Sequence, residues 1–391
     1  MRIIHLFIFL FINGYHAVVL SAEVELKAGN ALTAYIGEEY GTIDNFLMTP
    51  SNQQSSRYLK FKSRFLVQGQ FERSLLHFTS LLSNTRYQDF SQDDHSNAGF
   101  LAGYQYKYSK KQTFTIDGDF NRIYESRGTG ISLGKAEQLS RGDSKNKTQF
   151  KLAYLYGQKD SVAKLSFSLG AKKKKYLTRR IETEQLDTLS RFVYSEFDYL
   201  MTGKTYISTR VEYEQDRFEH QSSNDRDLVK GLLGIKWAPS EITSLNFLFG
   251  YQTISFISDS LDKNSTESWK VDINWRPLTY TELVLHSARD YRTSYQTENS
   301  YRVVDSYGLT LTTKFTERLS VKVNTALKNE TLVIFANTQD EEYFDVDASL
   351  HYQWRDWLSC FIDFNVKQVN SNLDSINFNQ NSVSLGVNVN L

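Results

Sequence analysis

Phe344-Asp345-Val346-Asp347-Ala348-Ser349-Leu350-His351-Tyr352-Gln353-Trp354 switches between apolar and polar residues at every step. In an extended chain successive side chains point to opposite faces, so this stretch has one greasy face and one charged face. The rhythm recurs where Trp269, Val271, Ile273 and Trp275 alternate with Lys270, Asp272, Asn274 and Arg276. It recurs again where Val383, Leu385, Val387, Val389 and Leu391 alternate with Ser384, Gly386, Asn388 and Asn390. A soluble sandwich alternates too, so no single stretch decides the fold. The number and spacing of the stretches do.

Working outward, strands are expected at 31–40, 57–67, 72–83, 97–108, 112–124, 147–157, 161–172, 189–201, 204–216, 227–237, 244–256, 267–275, 281–291, 303–314, 319–329, 343–354, 357–368 and 381–391. Their connections alternate in length. Short ones include Lys110-Lys111, Gln158-Lys159-Asp160, Thr202-Gly203, Pro239-Ser240-Glu241, Pro277-Leu278-Thr279 and Arg355-Asp356. Long polar ones run from Asn45 to Ser56, Ser126 to Asn146, Lys173 to Thr188, Arg217 to Arg226, Ser258 to Thr266 and Val369 to Gln380. Short periplasmic turns alternating with long extracellular loops mark outer-membrane barrels. The expected fold is therefore all-β: a transmembrane antiparallel up-and-down β-barrel of about eighteen strands. Closure follows because hydrocarbon offers no partner for an unpaired sheet edge.

The chain opens on Arg2, an apolar run from Ile3 to Ile12, and Val18-Val19-Leu20-Ser21-Ala22. A basic head, an apolar middle and a small residue at the cut predict a secretory signal peptide over 1–22 and a barrel domain over 23–391. Asn13 and Gly14 interrupt the apolar stretch short of the roughly 20 residues that a spanning helix needs. After Ala22 no apolar run approaches that length, and mean hydropathy is negative. With one cysteine, Cys360, the chain has no intrachain disulfide framework. Cys360 shares the apolar side of its strand with Ile362, Phe364 and Val366. Its three prolines, Pro50, Pro239 and Pro277, all fall in expected connections, as they must if ladders need every donor. Trp237, Trp275, Trp354 and Trp357 all flank short connections, which predicts an aromatic girdle at one membrane interface.

The polar face then names the lumen by elimination. Expected there are Lys60, Lys62 and Arg64; Asp117, Asp119 and Asn121; Arg210, Glu212, Glu214 and Asp216; Lys270, Asp272 and Arg276; Asp345, Asp347 and His351; Asp363 and Lys367. Both signs are interspersed and formal net charge is zero, so no single-sign field would steer nucleic acid. About eighteen strands enclose an aqueous channel rather than a packed core. Lys172 to Lys175 with Arg179 and Arg180 form a basic cluster at the top of a strand and its loop, suited to lipopolysaccharide phosphates, to an acidic glycan or, more simply, to plain solvation. No catalytic residues, metal-ligand constellation, Gly-rich phosphate loop or nucleophile elbow is present, and no cofactor is expected. Location in the Gram-negative outer membrane, among its lipid and lipopolysaccharide, follows from the barrel and the secretory signal.

Leu32-Thr33-Ala34-Tyr35-Ile36-Gly37-Glu38-Glu39-Tyr40, then Asp44-Asn45-Phe46-Leu47 and Pro50, resembles the opening of the putative β-barrel porin type 2 family. Gly234-Ile235-Lys236-Trp237-Ala238-Pro239-Ser240 and Asp272-Ile273-Asn274-Trp275-Arg276-Pro277-Leu278-Thr279 continue it, with repeated Trp-x-Pro turns as the most specific part. The resemblance covers essentially the whole mature chain, with Gly41-Thr42-Ile43 as a small departure. It implies an outer-membrane conduit for an exopolysaccharide or capsular polysaccharide, working with a periplasmic polysaccharide-export protein and performing no chemistry. A general or solute-specific diffusion porin needs the same architecture and no partner. A surface-binding barrel whose long loops engage another cell is a third class.

Overall fold

The alternation builds a closed wall. The computed structural model describes residues 2–12, 16–26, 30–158, 161–258, 263–294, 300–334 and 337–390. Outside the wall, β1 (Arg2–Ile12) and β2 (His16–Leu26) pair as a separate antiparallel hairpin. The expected signal segment lies in this hairpin, and its expected cut after Ala22 falls inside β2.

The wall itself consists of β3 (Ala31–Ile43), β4 (Ser56–Gln70), β5 (Ser74–Tyr87), β6 (His95–Ser109), β7 (Gln112–Glu125), β8 (Asp143–Tyr156), β9 (Ala163–Tyr176), β10 (Thr188–Thr202) and β11 (Thr205–Phe218). It continues through β12 (Arg226–Trp237), β13 (Thr243–Phe256), β14 (Asn264–Leu278), β15 (Thr281–Thr293), β16 (Ser300–Lys314), β17 (Leu319–Ile334), β18 (Asn337–Arg355), β19 (Leu358–Ser371) and β20 (Phe378–Asn390). These eighteen strands pair antiparallel in chain order, and β20 returns to β3 to seal the barrel. Every expected strand is present. At one end the connections are tight, two residues each at 110–111, 203–204, 279–280 and 356–357. At the other end they are long, as at 44–55, 126–142 and 177–187.

The outer face is apolar in the manner of a lipid contact. Phe364, Leu385 and Val387 stand exposed on it, and Leu385 keeps 60% of its surface open. A soluble monomer rarely exposes so continuous an apolar surface. Buried apolar clusters are small by comparison and lie near the long loops.

Several expectations are corrected. The strands run 12 to 19 residues rather than the expected 9 to 13, mostly because they continue past the greasy band on the long-loop side. There both faces are polar, with Gln339 and Glu341 on one and Thr338, Asp340 and Glu342 on the other, so the pairing persists after the apolar alternation that marks a strand has ended. The expected loop from Val369 to Gln380 accordingly shrinks to 372–377, and Lys172 to Lys175 all lie inside β9. Pro277 belongs to β14 rather than to a connection. The register slips between Trp275 and Leu278, so no ladder bond is demanded of its nitrogen. Lys159, Asp160 and Leu391 lie outside the described residues.

Candidate functional site: the lumen and its crossing loop

Pairing register fixes which side chains share the enclosed face. Glu39 stands opposite Lys60, Tyr35 opposite Arg64, and Lys62 forms an ion pair with Glu39. Asp117 stands opposite Lys151, Asp119 opposite Gln149, and Asn121 opposite Lys147. Further round, Arg210 faces Leu232, Glu212 faces Lys230, Glu214 faces Leu228, and Asp216 faces Arg226. Lys270 is opposite Ala288 and Asp272 opposite His286, with 2.8 Å between the His286 Nδ1 and a carboxylate oxygen. Asp345 is opposite Lys367, Asp347 opposite Asn365, Asp363 opposite Ser349, and His351 opposite Phe361. Arg276 sits in the bulge at the tight-turn end, its guanidinium 2.8 Å from Glu282. The ladder links these residues face to face, so the named side chains share one surface.

The wall brings a subset of them into a mesh of three neighbouring ion-pair groups. Lys172 Nζ lies 3.2 Å from Glu214, and the Tyr194 hydroxyl donates to the same carboxylate at 2.8 Å. Arg210 pairs with Glu212 and, at 3.4 Å, with Glu196. Lys230 bridges Glu212 and Asp290, while Lys236 bridges Glu196 and Asp198. Asp216 accepts from Ser190 and, at 3.0 Å, from the fully buried Arg226. Lys60, Asp119 and Arg64 stay outside this mesh. Sequence reasoning missed Glu196, Asp198, Lys230 and Lys236, and put Lys172 in the basic cluster at the loop end rather than in the lumen. Their strands carry bulky residues on both faces, with Phe192, Tyr194, Leu228 and Leu232 turned inward, so apolarity did not mark the outer side. The detectable signal was the two-residue spacing of the charges themselves.

The long loop between β7 and β8, residues 126–142, crosses into the lumen. Its Leu133, together with Met48 of the loop after β3, packs on Val369 of β19, Ile376 of the connection after it and Phe378 of β20. A buried ion pair anchors the crossing: Arg127 donates to Asp93 from Nε at 3.2 Å and from Nη2 at 2.5 Å. Tyr124 and the Gly142 amide also donate to Asp93, and the Arg127 Nη1 donates to the Leu139 carbonyl at 2.9 Å. The guanidinium lies over the Phe46 and Phe90 rings, themselves stacked with centroids 4.3 Å apart. Gly128 has φ +80°, and a Cβ there would meet the Leu47 carbonyl at 2.5 Å. Beneath the crossing lies a cavity of about 890 Å³.

Asp44-Asn45 ties the same region to the seam. Asn381 donates to the Asp44 carboxylate through its amide N–H and its side chain, both at 2.7 Å. Asn45, wholly buried, donates to the Asn379 and Thr49 carbonyls, and its own carbonyl accepts from Gln380 at 2.6 Å.

Outside, Trp237, Trp275, Trp354 and Trp357 sit exposed beside the tight turns. Asp187, Glu219 and His220 bring possible ligand atoms within 4.8 Å of one another at the loop end. Asp187 is already bound by Arg180 and the Tyr176 amide, and Glu219 by Lys173. That lysine holds the Glu219 carboxyl below the usual carboxylate range. Arg179, which the sequence grouped with Lys172 to Lys175, instead pairs with Asp143.

Residues 35–391 match the family model described as Putative beta-barrel porin 2. No curated protein matches the chain. Among solved structures, the FrpB iron transporter of Neisseria meningitidis is 8% identical with a TM-score of 0.50, covering 95% of this chain and 84% of its own. The siderophore receptor PiuA of Acinetobacter baumannii is 11% identical with a TM-score of 0.48, covering 96% and 83%. OpdQ of Pseudomonas aeruginosa is 12% identical with a TM-score of 0.45, covering 93% and 97%. At 8% identity, the likeness to FrpB speaks to the barrel fold alone.

Proposed function

Because the chain belongs to the Putative beta-barrel porin 2 family, we propose that this porin-like outer-membrane channel passes an exopolysaccharide or capsular polysaccharide. In this proposal it acts with a periplasmic polysaccharide-export protein that delivers the polymer to its tight-turn end. The observation that carries the proposal is the character of the lumen wall. Its charges are largely spent on one another, as in the mesh through Glu196, Arg210, Glu212 and Lys230. Hydroxyls, amides and aromatic rings fill the intervals, among them Tyr35, Asn388, Tyr194 and Gln252. A glycan needs a hydrated surface that offers many weak partners and few strong ones, so that each sugar can bind and leave. A wall of mutually neutralised ions meets that need. No bond is made or broken, so no catalytic group is required.

Deleting the gene should abolish surface and secreted polysaccharide while the polymer accumulates in the periplasm, and the plasmid-borne gene should restore export. Unchanged export in the deletion strain, with no related barrel expressed, would end the proposal.

The crossing loop favours a second reading, a diffusion porin for small solutes, because it narrows the space a polymer must use. Conductance in planar bilayers separates the two. A diffusion porin passes salts and short sugars freely with the loop in place, whereas a polymer conduit conducts salt but holds back short sugars until that loop is displaced.

A further inference from the structure

Four lysines project into the lumen from two adjacent strands: Lys145 and Lys147 on β8, Lys172 and Lys174 on β9. Two of them are spoken for. Lys145 lies 2.5 Å from Glu125, and Lys172 reaches Glu214. Lys147 and Lys174 stand directly opposite each other in the ladder, and among the described residues neither has an ion-pair or hydrogen-bonding side-chain partner. Like charges directly opposite on one sheet face destabilise the pairing. None of the nearby carboxylates pairs with them. Glu125 is held by Lys145 and the Tyr176 hydroxyl and Asp216 by Arg226 and Ser190, while Asp119, bonded by the Asn121 amide, keeps its charge but forms no ion pair with either lysine. Both free ammoniums line the 890 Å³ cavity under the crossing loop.

We propose that Lys147 and Lys174 form an anion subsite in this cavity, which takes a carboxylate or phosphate group of an acidic glycan. Two adjacent ammoniums with no carboxylate of their own are arranged to share one anion. The ion-pair mesh beside them spends its charges internally and would let uncharged sugars slide. This deepens the export proposal, on which it rests for the identity of the cargo: the polymer carries acidic groups, and the subsite engages them one at a time.

The test uses the full-length barrel in planar bilayers, with hexagalacturonate as acidic probe and maltohexaose as neutral probe of equal length. Hexagalacturonate should block the wild-type channel about tenfold more tightly than maltohexaose, in keeping with a charge-assisted contact. Lys147→Gln or Lys174→Gln should remove that advantage and leave maltohexaose blockade unchanged. Lys322→Gln, which removes an inward lysine on another part of the wall, should preserve it. Because each Gln variant relieves a like-charge contact, its urea midpoint without probe should be no lower than wild type, which guards against misfolding. Competition by inorganic pyrophosphate well below the concentration of acetate needed would assign the subsite to phosphate, and the reverse order to uronate. Equal blockade by the two oligosaccharides, or loss of the advantage in Lys322→Gln as well, would overturn the subsite. Intact polymer export in a deletion strain would instead remove the export proposal and leave the blockade result standing.

Discussion

Arg127 is the residue whose loss should be felt most. Its guanidinium is buried with Asp93 and roofed by Phe46 and Phe90. Removing one partner of such a pair leaves an uncompensated charge, at a cost of about 3–5 kcal/mol. Arg127→Ala should therefore free the crossing loop, raise single-channel conductance and open residues 126–142 to trypsin in intact cells. Conductance equal to wild type would show that the anchor does not hold the loop. Gly128→Ala should act in the same direction by about 1–2 kcal/mol, because its left-handed backbone disfavours a side chain. Neither role was legible in the sequence. Asp93 lies 34 residues from Arg127, and the stretch from Ser126 to Asn146 reads as solvated loop. The inward placement of Lys60 or Asp345 could be read from alternation alone, because the residues beside them on the other face are apolar, Leu59 and Phe61 in one strand and Phe344 and Val346 in the other.

At the scale of the strand, the two faces should respond oppositely to charge. Phe364 is exposed at the middle of β19, and Asn365 beside it is turned toward Asp345 and Asp347. Phe364→Arg should cost about 2–4 kcal/mol, as an arginine at the lipid midplane does, and Asn365→Arg should cost far less. Urea titration of the barrel refolded in phospholipid vesicles measures both, and equal losses would contradict the assigned faces. Trp354 and Trp357 flank the turn between β18 and β19. Their fluorescence should be quenched by lipids brominated near the headgroup more strongly than by lipids brominated near the chain ends. Strand identity was legible because the bilayer imposes period two on one face only. Strand ends were not, because above the bilayer the ladder needs no apolar face, as β17 and β18 illustrate beyond Lys328 and before Tyr343.

Taken whole, the molecule should behave as a sealed barrel, extracted only by detergent and running faster on a gel in dodecyl sulfate before boiling than after. Its strand count and the sidedness of its turns were legible in connection lengths. The loop that crosses its interior was not, because contacts such as that of Leu133 with the cluster of Val369, Ile376 and Phe378 join residues that no local pattern relates. The seam has a further consequence. It joins β3 to β20 through nine residue pairs, with Tyr35 and Asn388 separated by 353 positions. Contacts so remote in sequence form late, since the intervening chain must be ordered first. Until they do, β3 and β20 present two raw edges that could zip onto any neighbouring strand. The chain must then be escorted across the aqueous compartment as an unjoined ribbon, and Asp44-Asn45, clasping Asn379 to Asn381, makes a natural fastener for its final join.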